Sequence, residues 1–287
     1  MGYRQRDGAY RHPGRQVVFL GDLIDRGPGQ LRVLHVVRKM VDAGTARIVM
    51  GNHEFNAVSW ATPTGDGGWC RPHNGKNRRQ HEAFLSQVGE DSALHRDWVA
   101  WFRTVPMWLE LDGLRIVHAC WHPASMNALD SALVTDELLV ADWDSTPYEA
   151  VEILLKGPEI HMEGYHYADK DGHTREHARL RWWDPTATTW DVAAEGPAGA
   201  TVHDAHGAPA ALPATPLDQA RYPVVPLDRP VLYGHYWRDG KRQAPSVDGP
   251  LTACLDWSVA KGGLLVAYRW SGEADLTDDN LVAVGAS

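Results

Sequence analysis

The sequence predicts an α/β fold, and two observations support the prediction. Residues 16–30, QVVFLGDLIDRGPGQ, begin with an apolar run that ends at Gly21, which is typical of a strand buried on both faces. A helical pattern over 31–44 and a second strand pattern over 46–54 follow it. A strand–helix–strand unit pairs its strands in parallel through a right-handed crossover. We therefore expect a parallel sheet whose strand ends meet at one edge.

Each later element rests on its own pattern. The helix over 31–44 has apolar residues at helical spacing, and Gly44 ends it. Alternating runs within 106–121 flank Asp112-Gly113, which predicts a hairpin. Before the hairpin, residues 61–80 form a loop rich in Gly, Pro and Asn. Two helical segments follow the loop, over 80–88 and 92–104.

The composition changes over about 122–230. Pro, Gly, Ala and scattered charges dominate there, with a polar patch at 166–175 and a low-complexity stretch at 193–217. We interpret this region as an insertion that caps the face where the strands end. VLYGHYW (231–237) then resumes the pattern of a strand followed by Gly and His, and closing strands are predicted within 252–270.

Composition also excludes several classes of function. The net charge of −9, without a run of Lys and Arg, argues against long nucleic acid as a partner. The three cysteines, Cys70, Cys120 and Cys254, show neither metal spacing nor a disulfide framework, which predicts a cytoplasmic location. The first residues lack the apolar core of a signal peptide, and no apolar stretch reaches the roughly 18 residues of a membrane span. We therefore expect no membrane partner.

Polar side chains follow four predicted strands at the points where the strands end. In chain order they are Asp22, Asp25 and Arg26, then Asn52, His53 and Glu54, and finally His118 and His235. Each group taken alone could have a purely structural role, since polar turns and lone buried histidines are common. Four such ends in one chain favour a site at the sheet edge. Carboxylate, amide and imidazole together suit a divalent ion such as Mn, Fe or Zn, and arginine fits a phosphate.

Four motifs, GDLIDRG, GNHE, VHA and YGH, give the chain a family resemblance. It resembles the calcineurin-like metallophosphoesterases, most closely the phosphoprotein-phosphatase branch with its bacterial serine/threonine phosphatases and the symmetrical dinucleoside tetraphosphatases. The likeness covers about 16–121 and 231–270 and leaves the insertion unassigned. It implies a β-sandwich flanked by helices. It also implies a phosphoesterase that hydrolyses phosphomonoester or pyrophosphate-type bonds by metal-activated water attack.

The resemblance implies two metal ions in the family's site. Asp22 would bridge them, and the shell of the second ion would be completed by Asn52, His118 and His235. The family's GD-x-H-G motif, which supplies the first ion's own ligands, is absent. We therefore expect a single domain over 1–287 that is incomplete at its N-terminus, with two ions in a longer form and at most one held tightly here. Manganese is the expected ion, with Fe or Zn as alternatives.

The resemblance implies catalytic and substrate-binding roles as well. His53 would protonate the leaving group, and Asp25 would orient and polarise this histidine. Arg26 would hold phosphate oxygens, and Asn52 would also contact the substrate. We expect Glu54 to brace its turn rather than to act in the reaction.

Two explanations of the absent motif stay open. Either Met1 is an internal methionine of a longer protein, or a metal site has been lost; we favour the first because every later ligand is intact. The second would leave a non-catalytic module that binds phosphate or nucleotide through a degenerate metal site. Phosphorylated proteins and nucleotides both fit as substrates. Four tryptophans are candidates for stacking on an adenine, although core packing is their more common fate: Trp121, Trp143, Trp182 and Trp183.

Overall fold

The structure, a computed structural model, describes residues 2–168, 174–195, 201–218, 222 and 225–285. Its helices are α1 (Gln30–Asp42), α2 (Asn52–Trp60), α3 (Gly75–Val88), α4 (Ala93–Phe102), α5 (Pro123–Asn127), α6 (Asp136–Leu139), α7 (Thr146–Lys156) and α8 (Trp190–Ala193). Its strands are β1 (Arg4–Arg6), β2 (Ala9–Arg11), β3 (Val17–Phe19), β4 (Ala46–Ile48), β5 (Trp108–Leu111), β6 (Leu114–Val117), β7 (Glu159–His161), β8 (Tyr165–Ala168), β9 (Thr174–Arg175), β10 (His177–Leu180), β11 (Ala194–Glu195), β12 (Val202–Asp204), β13 (Val231–Tyr233), β14 (Thr252–Cys254), β15 (Asp256–Trp257), β16 (Leu264–Tyr268) and β17 (Leu281–Gly285). Among the helices of these described residues, none has both the length and the apolar character that a membrane crossing requires.

Two sheets face each other across a shared core. β3 and β4 pair in parallel, and α1 connects them along the chain. The second sheet has the order β14-β13-β6-β5, in which β13 is parallel to both β6 and β14. Val18 and Val49, from the β3–β4 side, pack in one cluster with Ile116, Leu232 and Ala253 of the second sheet. The predicted β-sandwich and its parallel first unit are therefore confirmed.

Helices cover the other face of β3 and β4. Leu34 of α1, Phe55 of α2 and Trp98 of α4 share one core cluster with Ile48 of β4. The hairpin predicted around Asp112-Gly113 is present as the antiparallel pair β5 and β6. The prediction of an α/β fold with flanking helices is thus confirmed as well.

Two element boundaries differ from those predicted. The strand expected over 46–54 is short, and the residues from Asn52 onward form α2. The Glu54 carboxylate accepts the N–H of Gly51, so this polar stretch caps a new helix instead of ending a strand. α3 begins before residue 80 because the Asn74 side chain accepts the N–H of Asn77 and caps the helix earlier.

The region 122–230 contributes to the core of the protein. Val151 and Leu155 of α7 lie in the cluster that also contains α1 and α2 side chains. The Tyr236 hydroxyl donates a hydrogen bond to the Leu180 carbonyl of β10 at 3.1 Å, which ties β10 to the end of β13. Parts of the predicted polar patch and low-complexity stretch lie outside the described residues, at 169–173 and 196–200. The assignment of this region as a cap on a single domain stays a prediction.

Candidate active site

Two glycines allow the loops after β3 and β4 to touch. A Cβ on Gly21 would lie 2.2 Å from the Gly51 nitrogen, and a Cβ on Gly51 would lie 2.4 Å from the Asp22 nitrogen. Because both distances are far below van der Waals contact, only glycine fits at these two positions. Asp22 follows with a left-handed φ of 55°. Such a conformation costs a non-glycine residue about 1–3 kcal/mol and persists only where the surrounding contacts enforce it.

The buried Glu54 carboxylate supplies the contacts that hold these two loops. Its Oε2 accepts the N–H groups of Asp22 at 2.8 Å and of Gly51 at 2.9 Å, and its Oε1 accepts that of Leu23 at 2.7 Å. Burial and the Asp22 charge raise the pKa of Glu54, although these hydrogen bonds act in the opposite direction. Glu54 therefore points at the loop backbones, which agrees with the bracing role expected from the sequence.

The four predicted metal ligands lie together. One ligand atom from each of Asp22, His118 and His235 lies within 4.8 Å of the other two. Asn52 Oδ1 is 3.3 Å from His118 Nε2, so the amide reaches the same place. These side chains come from the ends of β3, β6 and β13 and from the start of α2. The ligands lie at the adjoining ends of two sheets, β3–β4 and β14-β13-β6-β5, and not at the edge of one sheet as the sequence predicted. Their roles as ligands remain predictions.

The surroundings of the two histidines in this cluster suit the binding of a metal ion. His118 donates from Nδ1 to the Leu20 carbonyl at 2.5 Å, which directs Nε2 to Asp22 Oδ1, 3.4 Å away. His235 Nε2 is buried and has no hydrogen-bond partner within the described residues. A buried imidazole nitrogen without a partner, next to a carboxylate, is a group that a divalent ion would satisfy. The side chains present therefore fit such an ion.

Burial and proximity set the charges of the cluster. Burial raises the pKa of Asp22, but His118 and His53 outweigh this and hold the pKa of that carboxyl well below its usual range. Burial lowers the pKa of His118, yet the Asp22 carboxylate raises it to about 9. Burial and the charge of Arg179 keep the pKa of His235 well below its ordinary value. Asp22 and His118 are thus paired, with their nearest side-chain atoms 3.4 Å apart, and a divalent ion held here would take the place of the proton on His118 Nε2.

His53 lies beside the ligand cluster, is hydrogen-bonded to one carboxylate and is near a second. Its Nδ1 is 2.8 Å from Asp25 Oδ2, and its Nε2 is 4.0 Å from Asp22 Oδ2. Burial lowers the pKa of His53, but Asp22 and Asp25 outweigh this effect and raise it. Asp25 also contacts His81, at 2.8 Å. Sequence reasoning missed His81 because it lies inside α3, far from any strand end, with no motif around it.

Several arginines line the long cavity of about 2640 Å³ that extends over these groups, and two of them, Arg26 and Arg179, act on the charges of the site. Arg26 is exposed there, and its role in phosphate binding stays a prediction. Arg179, on β10, lies 5.7 Å from the centre of the Tyr236 ring, and its charge lowers the pKa of His235. Arg179 was also missed, since the composition of the insertion gives no sign of which residue faces the site.

The four tryptophans proposed for stacking have different surroundings. Trp121 and Trp182 are buried in a core cluster with Tyr233, so packing is their role. Trp183 packs edge-on against Tyr236, with ring centres 4.8 Å apart. Trp143 is 80% exposed. Two of the four candidates are therefore unavailable to a base.

A β-sandwich that gathers carboxylate, amide and imidazole groups at adjoining strand ends has the architecture of a metal-dependent phosphoesterase. The chain belongs to the calcineurin-like phosphoesterase family, whose model matches residues 7–236. This confirms the family predicted from the motifs. Membership of this family and the metal-binding side chains of the cluster together indicate a divalent metal ion as cofactor.

Curated relatives match parts of the chain. The asymmetrical bis(5'-nucleosyl)-tetraphosphatase PrpE of Halalkalibacterium halodurans is 50% identical over 54 residues, 18% of this chain and 22% of the relative. The symmetrical bis(5'-nucleosyl)-tetraphosphatase of a Janthinobacterium species is 31% identical over 150 residues, 51% of this chain and 43% of the relative. The match thus spans less than half the length of either relative. A cold-active protein-tyrosine phosphatase of a psychrophilic Shewanella species has a TM-score of 0.43 at 13% identity, covering 98% of this chain and 72% of that one.

Proposed function

We propose that this chain is a metal-dependent phosphoesterase that hydrolyses phosphomonoester or pyrophosphate-type bonds with water as the nucleophile. The observation that carries the proposal is the meeting of the four predicted ligands with the His53–Asp25 pair. Family membership supports the same class of reaction. The names of the relatives, which are bis(5'-nucleosyl)-tetraphosphatases, support a pyrophosphate-type bond.

The ligands of the ion in this proposal are Asp22, Asn52, His118 and His235. Manganese is the proposed ion, with Fe or Zn as alternatives, because the set mixes carboxylate, amide and imidazole donors. When bound, such an ion supplies an activated water molecule and positive charge for the phosphate oxygens.

His53 is the proposed proton donor to the leaving group. The Asp25 carboxylate only accepts hydrogen bonds, so His53 Nδ1 must carry a proton and Nε2 is the atom left for the substrate. That atom lies 4.0 Å from Asp22 Oδ2, beside the ligand cluster. Arg26 holds phosphate oxygens through its planar fork, and Arg179 adds positive charge at the same cavity.

The proposed substrate is a dinucleoside polyphosphate, with a phosphorylated protein as the alternative. The relatives' names favour the nucleotide. The proposed location is the cytoplasm, and it is supported by cysteines that form no disulfide: Cys70, Cys120 and Cys254.

Turnover measurements test the proposal. The chain should hydrolyse p-nitrophenyl phosphate when Mn²⁺ is supplied and should lose this activity in excess chelator. Diadenosine tetraphosphate assayed beside a phosphopeptide panel then gives the substrate class, as a ratio of kcat/KM values. Calorimetric binding of these compounds without turnover of any of them would favour the alternative, a non-catalytic binding module.

We expect one tightly held divalent ion per chain. Among the described residues, four predicted ligands converge on one site, and a second ion would share only Asp22 with it. Tight binding of a divalent ion normally takes about three or more protein ligands. Elemental analysis after dialysis measures the ratio, and His118→Ala should lower it while His95→Ala, away from the cluster, should not. Two tightly bound ions per chain would contradict this expectation.

A further inference from the structure

The Asp25 carboxylate lies between two imidazoles. Its Oδ2 is 2.8 Å from His53 Nδ1, and its Oδ1 is 2.8 Å from Nδ1 of His81 on α3. The side chains of Asp25 and His81 are each 3% exposed, so water does not compete for this contact. Because each oxygen of the Asp25 carboxylate accepts a hydrogen bond from a different imidazole, the two bonds together fix the orientation of the carboxylate.

The hydrogen-bond chemistry fixes the proton positions. Burial raises the pKa of Asp25, but the hydrogen bonds from His53 and His81 outweigh it and lower the pKa, so the group is an ionised acceptor. Both imidazoles must therefore present an N–H at Nδ1.

In the part of the chain that the structure describes, His81 makes no other polar contact. Its ring lies near Trp60 and Phe84, with ring centres 5.8 and 5.2 Å away, and its Nε2 is buried without a partner within the described residues. An apolar side chain of similar size would fill this volume without an unpaired nitrogen. The hydrogen bond to Asp25 is thus the contact that accounts for a histidine here.

We propose that His81 is a positioning residue that fixes the Asp25 carboxylate and, through it, the direction in which His53 presents Nε2 to the leaving group. This inference rests on the proposed function, in which His53 is the proton donor. Loss of the His81 N–H frees one carboxylate oxygen, and the His53 ring then loses a fixed partner. Partners of this kind, one contact removed from the chemistry, typically matter by about 10- to 100-fold.

Three variants of His81 and one control variant isolate this effect. His81→Phe keeps a ring of similar size and removes the donor. His81→Asn keeps an amide N–H near the position of Nδ1, whereas His81→Gln places it near the position of Nε2, so these two differ mainly in where the donor lies. His95→Phe is the control, because His95 is equally buried against Phe84, with ring centres 5.9 Å apart, and makes no contact with Asp25 among the described residues.

The readout is kcat and KM for phenyl phosphate and p-nitrophenyl phosphate with Mn²⁺. The phenolate of the first leaves poorly without a proton, and that of the second leaves readily. His81→Phe and His81→Gln should lower kcat on phenyl phosphate by about 10- to 100-fold, with KM nearly unchanged and a much smaller loss on p-nitrophenyl phosphate. His81→Asn and His95→Phe should retain most of the parental kcat on both. An equal fall on both substrates, or parental kcat on phenyl phosphate in His81→Gln, would overturn the inference.

A second measurement separates this inference from the proposed function. The His53 Nδ1–H signal in the proton NMR spectrum should show a strong hydrogen bond in the parent chain and in His81→Asn, and should shift or broaden in His81→Gln. A parent chain that hydrolyses none of the phosphate esters would refute the proposed function, while the NMR signal would still decide the inference. An unchanged His53 signal in His81→Gln would refute the positioning role itself.

Discussion

Replacing His53 by alanine is expected to lower kcat for phosphate-ester hydrolysis by about 10²- to 10⁴-fold, the range that general acid–base catalysis typically contributes. The imidazole is 11% exposed and lies between Asp22 and Asp25: Asp25 accepts its Nδ1–H at 2.8 Å, and Nε2 lies 4.0 Å from Asp22. In the proposed mechanism its removal leaves the departing oxygen without a proton donor, whereas the ligand cluster keeps all of its side chains. The loss should fall on kcat more than on KM, because the proton is donated in the transition state.

Steady-state kinetics on phenyl phosphate with Mn²⁺ measure this effect. The metal content of the variant must equal that of the parent, so that loss of the acid is not confused with loss of the ion. His161→Ala is a matched control, since this half-exposed ring on β7 contacts His177 and Glu176 and should leave kcat unchanged. Full activity in His53→Ala would remove this residue from the mechanism.

The ligand cluster was predictable from sequence because its members follow strand ends. Parallel strands bring such ends to one edge within each sheet, and the packing of the two sheets brings the two edges together, so distance along the chain does not matter. Asn52 and His118 are 66 positions apart, yet their side-chain atoms lie 3.3 Å from each other. The same rule placed Asp22 and His235 with them, and the structure gathers all four.

Groups that reach the site from helices or from the insertion were not predictable in this way. His81 is 56 positions from Asp25 and contacts it only because of how α3 packs against the sandwich. Arg179 depends likewise on the path of β10. The start of α2 was missed for another reason: an apolar run followed by polar residues looks the same whether a strand continues or a helix begins. The sequence signal for a helix start was Glu54, three residues after Gly51, because a side chain at this position accepts the N–H of the capping residue.

Glu54→Ala is expected to lower the free energy of unfolding by about 3 kcal/mol. The backbone N–H groups of Asp22, Leu23 and Gly51 would lose their shared acceptor. A buried donor left unpaired costs about 1–3 kcal/mol, and water entering the vacated volume would offset part of the sum. The expected loss is a large fraction of a typical stability of roughly 5–15 kcal/mol. It also removes the contacts that enforce the left-handed conformation of Asp22.

Urea denaturation of the parent and two variants measures this loss, and a graded result would identify its cause. Glu54→Gln keeps the volume of the side chain and one carbonyl oxygen, so its stability should lie between those of the parent and Glu54→Ala. Glu152→Ala is the control, since it removes a half-exposed carboxylate paired with Lys156, and such surface pairs contribute about 0–1 kcal/mol. If Glu54→Ala unfolded within about 1 kcal/mol of the parent, the three N–H groups would have found other acceptors. The two loops would then be held by those acceptors and by the hydrogen bond from the His53 N–H to Asp22 Oδ1, 3.2 Å long.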